Sequence, residues 1–315
     1  VSIPSAAKLS TAVERAHAAV VHQKGGVNAA YIPYLANVDP ALCGVAVATV
    51  DGQIFEAGDS RFSFALESIS KLFTMALVME EVGAEEFHAR VGADPTGMSF
   101  NSIMALGLHN DLPMSPMVNA GAMSTVSLLP AKDSEERWQK ILDVQSRFAG
   151  HQIELSDEVN SSEQATNFHN RAIAWLLYGG KTIYSDPMEA CDVYTRQCST
   201  LVNTVDLAVM GATLASGGTN PLSHERVIAA KNVPHILAEM TMEGLYTRSG
   251  DWAYQVGLPA KSAVSGGILA VVPGELGIAA FSPPLDSAGN SVRGQRAVSH
   301  VAHSLGASLY EVPRA

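Results

Sequence analysis

Phe64-Ala65-Leu66-Glu67-Ser68-Ile69-Ser70-Lys71-Leu72-Phe73 is the stretch from which the rest of the chain can be read. Apolar residues recur at Ile69, Leu72, Phe73, Ala76 and Leu77, the spacing of one helix face. Ser68 stands where the first turn begins, and Lys71 follows three residues later on the same side. Free backbone N–H groups and the positive end of the helix dipole lie at the same point. A nucleophile, a base and an anion site therefore fall within one turn.

Ser-x-x-Lys is the pattern of active-site serine acylases of the β-lactamase and penicillin-binding type. By itself it discriminates poorly. Ser5-Ala6-Ala7-Lys8 matches too, and there Ser5 after Pro4 reads as an N-cap with Lys8 on a solvated face. Ser68 needs support from elsewhere in the chain.

The chain has 315 residues, 47% of them apolar and 16% charged, which suits a substantial folded core. A net charge of −11 argues against nucleic acid or an anionic membrane as the main partner. Cys43, Cys191 and Cys198 are too few for a disulfide framework and fit a reducing compartment. There is no apolar run of membrane-spanning length and no basic-then-apolar secretory leader, so a cytoplasmic location is expected. The ten histidines and three cysteines show no metal-ligand spacing, and no dinucleotide or phosphate-loop signature occurs. No cofactor is expected.

In chain order, residues 5–22 read as an amphipathic helix bearing Leu9, Val13, Ala16 and Val20. Asp51-Gly52 between the apolar runs 42–50 and 53–57 reads as a β-hairpin. The Ser68 helix is predicted to reach about Glu81. Further helices are expected behind Asp133, over 162–178, from Pro187, over 204–216 and through Val233–Met240. Asn119 reads as a plain N-cap. Glu163, Thr166, Asn167 and Asn170 form a polar stripe, with Glu163 and Asn170 two turns and ~10.5 Å apart on one helix face. A solvated face is the ordinary explanation for such a stripe, and a pocket wall the sharper one. Strands are predicted over 253–264, 267–272 and 277–282, then a helix over 291–310. The expected fold class is α+β, a single antiparallel sheet flanked by helices and split by a large all-helical insertion. The sheet domain comprises 1–66 plus 242–315 and the helical domain 67–241, with the active site in the cleft between them.

Lys261-Ser262-Ala263-Val264 lies on a strand predicted to be buried, where a lysine is uncommon unless paired or functional. Acyl-serine enzymes place a Lys-Ser/Thr-Gly element on the strand bordering the active site. The order of elements here matches.

With Glu67-Ser68-Ile69-Ser70-Lys71, the segments Pro116–Ala122, Asn170-Arg171-Ala172, Tyr194–Ser199, Asp206-Leu207-Ala208, Gly257–Ser262, Gly266-Gly267-Ile268 and Gly289–Gly294 make the chain resemble the serine-dependent glutaminases. That family has a β-lactamase-like fold, and the resemblance covers nearly the whole chain. It implies hydrolysis of L-glutamine to L-glutamate and ammonia through an acyl-serine intermediate. It places catalytic roles on Ser68, Lys71, Tyr194 and Lys261. Substrate contacts fall on Ser68, Asn119, Glu163, Asn170, Tyr194, Tyr246 and the backbone of Val264. Glu163 suits the substrate ammonium. The proton of Ser68 goes to Lys71 or to Tyr194, whose ordinary pKa values of about 10.4 and about 10 leave the choice open.

The chain departs from the family pattern at Ala263 and Ser265, where glycines are usual, which puts the level of activity in doubt through the oxyanion strand. The family and the exposed apolar positions imply a homodimer or homotetramer. The rival readings are another Ser-x-x-Lys acyl hydrolase of the β-lactamase or D-Ala peptidase type, a cysteine amidase using Cys198, and a weakly catalytic amino-acid-binding relative.

Overall fold

The computed structural model describes residues 3–311. Its strands are β1 (Gly44–Thr49), β2 (Ile54–Gly58), β3 (Phe64–Ala65), β4 (Glu154–Leu155), β5 (Thr200–Val202), β6 (Ala260–Ser262), β7 (Gly267–Val272) and β8 (Leu276–Phe281). Five of them form an antiparallel sheet in the order β2-β1-β8-β7-β6. The hairpin read from Asp51-Gly52 pairs Ala48 with Ile54. β1 then pairs with β8, so strands more than 220 residues apart in sequence become neighbours, as a split sheet requires.

β1, β7 and β8 are buried at every position, which their unbroken apolar runs reflect. The Ala6–Val20 and Val292–Leu305 helices cover one face, turning in Leu9, Val13, Val298 and Val301. The Thr204–Ala215 helix covers the other. It sits close because of glycine: a Cβ at Gly277 would lie 2.4 Å from the carbonyl oxygen of Ala208, and one at Gly211 would lie 2.5 Å from Leu269. Either methyl would push the helix off the sheet.

Three expectations need correction. The helix expected over 162–178 is two helices, Asp157–Gln164 and Phe168–Gly179. Between them the Thr166 hydroxyl donates to the carbonyl of Ser162, and the buried Asn167 amide donates to Gln164 and Thr195. Polar side chains here offer alternatives to the helical ladder, and it breaks. The strand expected over 253–264 starts as a helix, Ser249–Gln255, and only Ala260–Ser262 pairs with β7. Trp252 points inward from that helix and donates its indole N–H to the carbonyl of Leu258. The last helix stops at Leu305, before Gly306 in a left-handed conformation, not at Tyr310. The segment between early and late strands is otherwise helical, apart from β4 and β5. These two strands join β3 in a small second sheet that had no expected counterpart.

Candidate active site

Ser68 sits in a 3-10 turn, Glu67–Ile69, that runs straight into the Ser70–Val82 helix. β3 leads into the turn and is pinned by the N–H of Leu66 donating to the carbonyl of Thr200. At the start of a helix the N–H of Ser68 has no intrahelical acceptor. Two residues of the turn sit deep: Ser68 is 5% exposed and Lys71 only 1%. The Lys71 amine donates to Ser68 Oγ at 3.2 Å, to Asn119 Oδ1 at 2.9 Å and to the carbonyl of Met117 at 3.2 Å.

Asn119 is the hub of this network. It opens the Asn119–Leu128 helix, yet its side chain caps nothing, so the N-cap reading does not hold. Its Oδ1 also accepts the Tyr194 hydroxyl at 3.0 Å, and its Nδ2 donates to Asn170 Oδ1 at 2.9 Å. Ser68, Lys71, Asn119, Tyr194 and Asn170 thus form one connected cluster drawn from four separate segments.

Lys261 projects from β6, which packs against the Ser68 turn, and is fully buried. It donates to the carbonyls of Gly244 at 3.0 Å and Ser262 at 2.8 Å, and makes no direct bond to Ser68 or Lys71. Its link to them is Tyr246. The Lys261 amine stands 4.1 Å from the centre of the Tyr246 ring and the Lys71 amine 5.9 Å from it. Tyr246 itself has a left-handed backbone, φ 55°, unfavourable for an aromatic residue and a mark of a site under constraint. Gly244 is close against the strand: a Cβ there would lie 1.7 Å from the carbonyl oxygen of Ala260.

Burial dominates the electrostatics. It pulls the Lys71 amine down to about 8 and Lys261 well below its usual range, Lys71 adding to the second shift. The Tyr194 and Tyr246 phenols are pushed up, again chiefly by burial. The Cys198 thiol is likewise buried and raised, its Sγ resting 3.7 Å from Ser70 Oγ, so it is a poor nucleophile. Lys71 is the amine bonded to Ser68 Oγ, and its shift brings it within reach of the neutral form near pH 8.

Val264 lies in the tight turn after β6, closed by Ala263 N–H to the carbonyl of Gly267 and Gly266 N–H to that of Ala263. Among the described residues the N–H of Val264 has no acceptor. Ala263 is fully buried and packs within the apolar core. Ser265 is buried with its hydroxyl unpartnered among the described residues.

Glu163 is 8% exposed and reaches Ser199 at a long 3.5 Å. Burial pushes its carboxyl up to about 7. Next to it lies a residue that the motif reading did not single out. Glu67, immediately before Ser68, is 3% exposed and has φ 49°, and burial and then the neighbouring Glu163 carboxyl hold its own carboxyl well above the usual range. An acidic residue in the left-handed region has no sequence signature. A cleft of about 490 Å³ opens beside Tyr246, lined by Tyr31, Phe100, Leu285 and Gly289 among others.

Buried serine, neutral-leaning lysine and two free backbone donors can together support acyl transfer. The sequence profile of the family described as Glutaminase matches residues 26–310. A protein named Glutaminase from Mycobacterium ulcerans (strain Agy99) is 66% identical over 309 residues, 98% of this chain and 97% of the relative. Glutaminase 1 of Escherichia coli (strain K12) is 62% identical over 96% of this chain and 98% of its own length. A solved structure described as probable glutaminase ybaS superposes with a TM-score of 0.97 at 61% identity, covering 98% of this chain and all of that one.

Proposed function

The chain belongs to the glutaminase family and hydrolyses L-glutamine to L-glutamate and ammonia, and we propose that it does so through an ester on Ser68 with Lys71 as general base. The observation that carries the assignment is the Lys71 amine, held 3.2 Å from Ser68 Oγ with its pKa lowered to about 8. Tyr194, pushed the other way, stays a neutral phenol and steadies Asn119.

Neutral Lys71 accepts the Ser68 proton as Oγ attacks the side-chain amide carbon. The oxyanion is held by the N–H groups of Ser68 and Val264. The Lys71 ammonium returns a proton to the departing nitrogen, the C–N bond breaks, and ammonia leaves. Water then adds to the ester with Lys71 again taking a proton, and glutamate departs as Ser68 regains its hydrogen. Lys261 fixes the Gly244 carbonyl and the edge of β6, and so the position of Val264.

Glu163 is the partner of the substrate α-ammonium, and Asn119 and Asn170 serve the α-carboxylate and the amide. Glu163→Gln is expected to raise KM strongly while kcat changes less, and an unchanged KM would remove the assignment. Incubation with a diazo-ketone analogue of glutamine, followed by peptide mass mapping, tests the nucleophile. The adduct is expected on Ser68, and an adduct on Cys198 or elsewhere refutes the scheme.

A location in the cytoplasm agrees with three free, buried cysteines. The exposed Met104, Leu108, Phe168, Trp175 and Tyr178 give an apolar surface suited to a homodimer or homotetramer.

A further inference from the structure

Glu67 and Glu163 bring two carboxyl groups together in a region with little water. Glu67 comes from the nucleophile's own turn, and Glu163 from the end of the Asp157–Gln164 helix. One Glu67 oxygen, Oε1, is buried and finds no donor among the described residues. The Ser199 hydroxyl has a single hydrogen, and it is aimed at the carbonyl of Thr195 at 2.8 Å, which leaves only the long 3.5 Å approach to Glu163. Among the described residues, Glu163 therefore has no good donor other than Glu67. Two ionised carboxylates in contact inside a protein repel, and neither would have a donor. One proton between them removes both problems.

We propose that Glu67 is a positioning residue for substrate recognition: it remains a neutral carboxylic acid and donates the hydrogen bond that keeps Glu163 the carboxylate partner of the substrate α-ammonium. The inference rests on the reading of Glu163 given above. The other groups facing the pair agree with a single negative charge there. Tyr31, Tyr246 and the Cys198 thiol face Glu67, and Tyr194 faces Glu163; all four are neutral acids held above their usual range, first by burial and then by neighbours that include these carboxyls. Lys71 is the one cation acting on Glu67. Glu67 holds a left-handed backbone, φ 49°, which a non-glycine residue rarely adopts.

The test is L-glutamine binding to the Ser68→Ala variant, followed by calorimetry from pH 5.5 to 8.5 so that chemistry does not intrude. In the parent, affinity is expected to fall as pH drops below about 7, where Glu163 takes up a proton. Adding Glu67→Gln supplies an amide donor of the same shape, and affinity should stay within about threefold with the acid limb in place. Adding Glu67→Met removes the donor, and the limb should move up by about one pH unit, with binding at pH 7 weakened about fivefold. Circular dichroism and melting temperature establish that each variant is folded. A tenfold loss with Glu67→Gln at all pH values overturns the proposal, because it would mean that Glu67 binds as a charge. An acid limb unmoved by Glu67→Met overturns it as well. If Glu163→Gln binds glutamine normally, the underlying reading has failed; if Glu163→Gln binds poorly and the Glu67 variants behave alike, this inference alone has failed.

Discussion

Ser5-x-x-Lys8 and Ser68-x-x-Lys71 share a spacing and the start of a helix, and they differ in everything else. Ser5 Oγ accepts the backbone N–H of Lys8 at 3.4 Å, so its oxygen is a helix cap. The Lys8 amine is exposed and donates to the carbonyl of Leu305. Ser68 caps nothing, and its oxygen receives the Lys71 amine itself. Lys71 is enclosed by Asn119, Met117 and two tyrosine rings. The pair three residues apart supplies proximity, and the surrounding core supplies the desolvation that makes the amine a base. Neither alone gives an acyl-transfer site.

The sharpest way to break this comparison is to remove each hydroxyl. Ser68→Ala is expected to lower kcat by at least about 10⁴-fold, near the uncatalysed background. Ser5→Ala should leave kcat and KM unaltered, and a standard ammonia-release assay decides. Next come the amines. Lys71→Met should reduce kcat by about 10²–10⁴-fold, the range for a lost general base, and Lys8→Met should not. In the unmodified enzyme kcat is expected to rise with pH through about 8 as Lys71 loses its proton.

A third measurement uses stability. Lys71 has a lower pKa folded, about 8, than unfolded, about 10.4. Between those values the unfolded chain holds more protons, so stability rises with pH, by on the order of 3 kcal/mol from this residue. Urea melts at pH 8 and 10 should show about 2 kcal/mol of that gain, reduced in Lys71→Met and intact in Lys8→Met. The smallest effect belongs to the cap, where Ser5→Ala should destabilise by about 0.5–1 kcal/mol.

Much of the site could be read because its residues break local rules. A lysine on a buried strand and a serine before a helix with a lysine one turn on are odd in any sequence, and Lys261 and Ser68 were visible for that reason. By residue pattern alone Asn119 reads as an ordinary helix start, which only the approach of Lys71 and Tyr194 from distant segments rules out; the family resemblance is what marks it as a substrate contact. Glu163 and Asn170 read as a stripe on a continuous helix, whereas the helix is interrupted at residues 165–167 between them. The strand expected from Ala253 failed because Trp252, Val256 and Leu258 are apolar at spacings compatible with either period. Glu67 carries no such signal, because backbone handedness in a non-glycine residue follows from tertiary packing, to which composition is blind.

Gly244 has one more consequence. Its carbonyl accepts the N–H of Ser262 as well as the Lys261 amine, and it thereby occupies the outward rim of β6. An unshielded outer strand can recruit a foreign strand and begin fibrous assembly. The chain closes that rim with its own backbone at the place where the crevice opens. Gly244→Ala, by forcing this seam apart, should therefore yield a protein more prone to self-association as well as one impaired in turnover.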